Sequence, residues 1–321
     1  MTTSGIMRMP LLALLPGTVA YTWLYGAGVI INLIVAITVA AATEAIILRM
    51  RQLPILSLGD GTVMVSAVLL GLCLPPLLPL WQVAVGIVFA VVFGKHVYGG
   101  MGQNVFNPAM VGFAVLIVSF PLSMSQWPEP EFRLSLTDTL SAKVTMMDGR
   151  AAYDGVTAAT PLDAYKFRTG TTNTEFFDSL QSANWFNWMV INLCFLAGGL
   201  YLLYRRIISW QAPAGMLGCL VLLALIFYDS GSSASLGSPG FHLLSGATML
   251  AAFFVVTDPV TAPSDSRGLL LYGFGIGVFT FVIRTIGAYP EGIAFAVLLM
   301  NACSPMIDHV FSAREQLHED N

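Results

Sequence analysis

Two hydroxyls three residues apart, Thr157 and Thr160, stand in DGVTAATPLD, Asp154 to Asp163, inside the one long polar segment of an otherwise oily chain. Thr160 is flanked by Ala159 and Pro161, so it is sterically open and its backbone is restricted by the proline that follows. On an exposed loop, a modifying enzyme can reach such a hydroxyl and join it to phosphate as an ester. Other groups could serve ions. Glu44 lies inside an apolar run, and a carboxylate in lipid is costly enough to mark either a pathway or a partner. It sits near the end of its run, where it could reach the interface or pair with Arg49 or Arg51. Asp258, also at the end of an apolar run, has the same two readings.

Several chemistries find no support. His96, His242, His309 and His318 are not spaced to hold a metal. His96 and His309 fall at the ends of apolar runs and read as interfacial. Cys73, Cys194, Cys219 and Cys303 form no C-x-x-C pair and read as buried thiols. GGMGQN, Gly99 to Asn104, follows an apolar run rather than a strand and lacks a third glycine, so it reads as a tight turn and not a dinucleotide fingerprint. No Ser-His-Asp or Cys-His spacing suggests hydrolysis.

The elements that position these groups are dictated by composition. Of 321 residues, 56% are hydrophobic and only 10% charged, with a mean hydropathy of +0.76. Soluble domains carry about 25% charged residues, so this chain belongs in a bilayer. The net charge of −4 offers nothing to nucleic acid. Apolar runs of helix-spanning length fall at about 9–25, 27–48, 61–79, 81–95, 105–122, 185–204, 211–228, 240–257, 268–286 and 291–310. The expected fold is therefore an all-α membrane protein with ten transmembrane helices. Segments 1–122 and 185–321 hold five each, and 123–184 is a large polar loop.

With the N-terminus in the cytoplasm, Arg8, Arg49, Arg51, Lys95, Arg205, Arg206, Arg267 and Arg314 fall inside, and Arg284 alone among short connections falls outside. Both termini are then cytoplasmic and the 123–184 loop lies on the outer face. The two groups of five also look alike. GIVFAVVFGK (86–95) aligns with GIGVFTFVIR (275–284), FNPAMVGFAVL from Phe106 with YPEGIAFAVLL from Tyr289, and GTVMVSAV from Gly61 with GATMLAAF from Gly246. An odd number of spans per copy makes this a candidate inverted repeat, the alternative being that apolar helices with scattered glycines resemble each other by chance. The third and eighth spans end in proline-rich LCLPPLLP and VTDPVTAP. These are either broken helices whose freed carbonyls line a polar path, or plain helix ends.

D-G-x-T-x-A-T resembles the site at which a bacterial flavin transferase links FMN, through its phosphate, to the last threonine. That resemblance implies that Asp154, Gly155, Thr157 and Ala159 are read by the transferase and that Thr160 carries the cofactor. The commonest form of the motif has glycine where Ala158 stands. A literal SGAT at Ser245 to Thr248 lies inside the eighth span, with His242 in place of the leading acid, and is set aside. Together with KHVYGGMGQNVFNPAMVGF, HLLSGATMLAAFFVVTDPVTAP and YPEGIAFAVLLMN, the motif makes nearly the whole chain similar to the NqrB/RnfD family.

That resemblance implies membership of a bacterial inner-membrane Rnf complex, alongside its A, B, C, E and G components. Such a complex moves electrons between NADH and ferredoxin while translocating Na⁺ or H⁺. It also implies covalent FMN on the periplasmic face and a second, noncovalent flavin (riboflavin) in the membrane part. A flavin exchanges electrons singly, and the protein's share is to place the ring and tune it. Trp127, Tyr153, Tyr165, Phe167 and Trp185 could flank the ring, or could anchor the loop at the interface. The rival readings are a transporter without flavin and a passive scaffold.

Overall fold

The computed structural model describes residues 3–54, 59–100, 102–129, 134–145, 157–179 and 181–319. Its elements are α1 (Thr3–Tyr25), α2 (Gly28–Met50), α3 (Thr62–Cys73), α4 (Leu80–Val91, continued by a π-helical turn Val92–His96), α5 (Pro108–Ser119) and α6 (Pro121–Ser125). The polar segment adds β1 (Trp127–Pro128), α7 (Leu136–Thr145), β2 (Thr157–Ala158), α8 (Pro161–Lys166) and α9 (Asn173–Asp178). Then come α10 (Gln181–Tyr204), α11 (Gln211–Ile226), α12 (Pro239–Leu244), α13 (Thr248–Leu250, continued by a π-helical turn Ala251–Val255), α14 (Ser266–Thr285) and α15 (Ile293–Glu319).

Among the described residues, four helices are long and apolar enough to cross a membrane: Gly28–Met50, Asn184–Tyr204, Ser266–Thr285 and Ile293–Phe311. Thr62–Cys73, Leu80–His96, Pro108–Ser119 and Gln211–Ile226 are apolar but shorter. Two expected spans differ from their runs. The third stops at Cys73 because Pro75 and Pro76 cannot continue it, and Leu74 takes the extended backbone (ψ 145°) that a following proline favours. The eighth is broken near its beginning, at Ser245–Ala247, where Gly246 adopts a left-handed φ of 59°. By contrast, α1 runs unbroken through Pro10 and Pro16, beyond the expected 9–25.

The chain forms two compact units. One comprises Met1–Asn104, Pro108–Thr160 and Leu193–Gly198; the other Val105–Asn107, Pro161–Asn192 and Gly199–Asn321. The chain passes from the first to the second between Thr160 and Pro161.

In the second unit α11 and α14 pack tightly along glycines. A methyl group on Gly273 would clash with the carbonyl of Ala212, one on Gly215 with that of Leu270, and one on Gly277 would lie 2.6 Å from Cys219 Cβ. Small residues let backbones approach in lipid, where packing rather than water exclusion drives helix association. Gly273→Val is expected to force these helices apart and cost about 1–3 kcal/mol or more. The check is a lowered thermal midpoint of the detergent-purified chain.

Candidate functional site

The turn carrying Thr160 is held from its N-terminal side by a minimal antiparallel pair, Trp127 opposite Ala158 and Pro128 opposite Thr157. Trp127 in turn packs on Tyr21 and Tyr25 of α1, with ring centroids 6.4 and 6.2 Å away. Ala159 is exposed and Thr160 half-buried, directly before Pro161 opens α8. Asp154, Gly155 and Tyr153 lie outside the described residues. The alternative SGAT threonine, Thr248, is fully buried. Its hydroxyl donates to the carbonyls of His242 (2.9 Å) and Ser245 (2.8 Å) and accepts from Arg284 (2.9 Å), so it cannot be offered to a soluble enzyme.

The polar segment is fastened by two lysines that no motif in the sequence singles out. In the first unit, the Lys143 ammonium donates to Asn32 Oδ1 (2.6 Å) and to the carbonyls of Pro76 and Leu78 (2.8 Å each). In the second, Lys166 donates to the carbonyls of Ile283, Gly287 and Tyr289, capping the C-terminal end of α14. Such cations suit a helix C-terminus, where unpaired carbonyls carry partial negative charge. Arg168 binds the carbonyls of Tyr165, Thr171 and Ser235 and lies 3.5 Å from the Tyr165 ring centre. Periodicity could not have found the lysine contacts, because each joins residues distant in sequence.

The aromatics divide unequally. Tyr165 is buried with Leu162, Phe176 and Phe241, and its hydroxyl donates to Asn173. Burial pushes that phenol above its ordinary pKa. Trp185 packs on Phe177 at 5.1 Å, whereas Phe167 is 66% exposed. A cavity of about 50 Å³ opens among Tyr165, Lys166, Arg168, Ser235, His242 and Arg284. Since cofactor pockets run to hundreds of Å³ and a water needs about 10–15 Å³, it suits water and not a flavin ring.

Glu44 has a partner, but not the neighbouring arginines. Its Oε1 accepts from Lys95 at 2.6 Å, and Lys95 also donates to Thr62 Oγ1 at 2.8 Å. Arg51 instead binds the carbonyls of His96 (2.8 Å) and Gly99 (3.1 Å), at the turn where Gly99 and Gly100 take positive φ. Close packing of α2 against α4 and its π-helical turn wins over proximity in sequence. His96 is likewise buried rather than interfacial, with Nε2 3.6 Å from Glu44 Oε1. Glu44 Oε2 and both His96 ring nitrogens are buried without a hydrogen-bond partner among the described residues.

In the second unit Arg284 answers Lys95: it pairs with Glu291 at 3.0 Å and donates to the His242 carbonyl and Thr248 Oγ1, at the eighth-span break. Asp258 is half-buried and caps a turn, accepting from Val260 N (3.1 Å) and from Asn107 Nδ2 (3.1 Å). Among the described residues, no group of three or more His, Cys, Asp or Glu is placed to hold a metal. The four cysteines are thiols, Cys219 buried and the others half-buried.

These features define a class: a helical membrane protein with buried, paired charges at its helix breaks and a half-buried threonine turn in its polar segment. The chain belongs to the NQR2, RnfD, RnfE family, whose sequence model matches residues 1–316. The D subunit of the ion-translocating oxidoreductase complex of Pseudomonas aeruginosa (strain UCBPP-PA14) is 48% identical over 323 residues, covering 98% of this chain and 92% of that protein. The proteins of the same name from Aeromonas salmonicida and Vibrio cholerae (strain M66-2) are each 44% identical. The first alignment covers 95% of this chain and 92% of its relative, the second 98% and 95%.

Proposed function

We propose that this chain is the D-type membrane component of a bacterial ion-translocating oxidoreductase complex of the Rnf kind, bearing FMN as a phosphoester on Thr160. The reading is carried by one conjunction: full-length family membership, and a D-G-x-T-x-A-T segment whose final threonine stands at a partly accessible turn rather than in a buried helix. Bound there, the flavin supplies one-electron exchange in the path between NADH and ferredoxin. The protein holds its attachment point in place through the Trp127–Ala158 pairing and the Lys143 contacts of the first unit. Maturation requires a flavin transferase reading Asp154, Gly155, Thr157 and Ala159. The remaining partners are the A, B, C, E and G components and the lipid bilayer, and the second, noncovalent flavin belongs to the membrane part.

The same reading places the protein in the inner membrane, with ten spans in two inverted groups of five, cytoplasmic termini and a periplasmic 123–184 segment. The repeat is supported by the aligned Lys95 and Arg284. Each ends its helix by binding a threonine at the opening of another, Thr62 after left-handed Gly61 and Thr248 after left-handed Gly246. Glu44 and Asp258 are the candidate ion-path carboxylates, and the unpartnered Glu44 Oε2 favours the first.

The experiment is intact-mass spectrometry of the full chain produced together with a flavin transferase. The expected mass exceeds that of the polypeptide by one FMN less one water, with the addition mapping to the peptide containing Thr160. A bare chain under those conditions refutes the proposal.

A further inference from the structure

Lys143 is 1% exposed, yet among the described residues the acceptors of its ammonium are three neutral oxygens: Asn32 Oδ1, Pro76 O and Leu78 O, at 2.6, 2.8 and 2.8 Å. The two carbonyls exist as acceptors because α3 stops at Cys73, leaving the chain through Pro75 and Leu78 without helical partners. Asn32, fully buried on α2, is oriented by donating its Nδ2 to the Pro75 carbonyl at 3.0 Å. Gly28 lets α2 approach the Pro76 carbonyl, because any side chain there would collide with it. The oxygens are thus fixed by the membrane helices, and the lysine reaches them from the polar segment.

We propose that these three oxygens form a monovalent-cation site, which Lys143 fills as a tethered ammonium. Freed carbonyls at interrupted membrane helices are the groups that coordinate small cations. Neutral donors select charge +1, since divalent oxygen sites draw on carboxylates. Without the lysine, three buried acceptors would be left unmet, and a bound ion would relieve that loss. Burial also pushes the Lys143 amine down to about 7, so its proton is held loosely for a lysine and a competing ion faces a weak occupant. Withdrawal of α7 would then open the site to the outer solution, linking the position of the polar segment to ion occupancy. The inference rests on the helix break and not on the flavin.

Lys166 provides an internal control, because it also meets three carbonyls but is only half-buried, so water can take its place. The test uses the detergent-purified full chain with Lys143→Ala, Lys143→Met or Lys166→Met. Thermal midpoints are compared in sodium, potassium and choline chloride at equal ionic strength. The Lys143→Ala midpoint is expected to rise saturably with sodium or potassium over choline, by mass action, while wild type and Lys166→Met respond alike to all three. Lys143→Met, which fills the space with an apolar chain, should lose that selectivity. Equal midpoints for Lys143→Ala in alkali and choline salts overturn the proposal. Should Lys143→Ala fail to fold, acetylation of Lys143 in the wild-type chain decides. Labelling several-fold faster in alkali chloride than in choline chloride supports exchange, and equal labelling refutes it.

Discussion

Thr160→Ala is expected to leave the chain dark under ultraviolet light after denaturing electrophoresis, while wild type made beside the transferase fluoresces. Electron transfer between NADH and ferredoxin by the assembled complex should fall by roughly 10²-fold or more, because a tether holds its group at an effective concentration that free micromolar flavin cannot match. The substitution removes one hydroxyl from a half-buried turn before a proline, so the fold should survive and the thermal midpoint should stay close to that of wild type. This separates the redox reading from its rivals. A transporter or scaffold would lose nothing when the hydroxyl is removed, and full electron transfer by the variant would count decisively against the flavin. Thr248→Ala is the matched control: its hydroxyl makes contacts at a helix break and is fully buried, so the variant should lose stability but keep its fluorescence.

The second large effect concerns Lys95. Lys95→Met strands the Glu44 carboxylate, which is 3% exposed and would lose its 2.6 Å ion pair. Breaking a buried pair from one side costs about 3–5 kcal/mol, because the remaining charge is cut off from water and keeps only the more distant His96, 3.6 Å away. The single variant should therefore unfold at a markedly lower temperature. Adding Glu44→Leu removes the stranded charge, and a buried pair replaced by apolar groups is often neutral or better, so the double variant should recover most of the loss. Ion transport measured in vesicles distinguishes the roles of Glu44. Recovered stability with transport still abolished assigns it to the ion path; recovery of both makes it a structural partner of Lys95.

How much of this was readable beforehand varies by element. Gly28–Met50 follows its apolar run within two residues, because nothing inside it interrupts the helix. The ends of the third span and the break in the eighth were less legible. Prolines announce a stop, but they do not say which carbonyls are left over or what will bind them. Glu44 was recognised as needing a partner, and its nearest basic neighbours were natural choices. The actual partner, Lys95, lies 51 residues away. Tyr165 looked like a loop aromatic, yet it is a core residue, because α8 and α9 fold with Phe241 into a small cluster of their own.

The sequence alone determined that this chain is a helical membrane protein and where its longest apolar helices lie, and it singled out one short threonine motif. Those properties are local: hydrophobic length, proline and glycine placement, and a short motif read by its order of residues. Tertiary structure decided which buried charges meet, which groups enclose the SGAT threonine, and how Lys143 and Lys166 fasten the polar segment. These depend on distance in space between groups far apart along the chain. In a medium without water, each orphaned carbonyl or charge must find whichever complementary group the packing of the helices brings within reach.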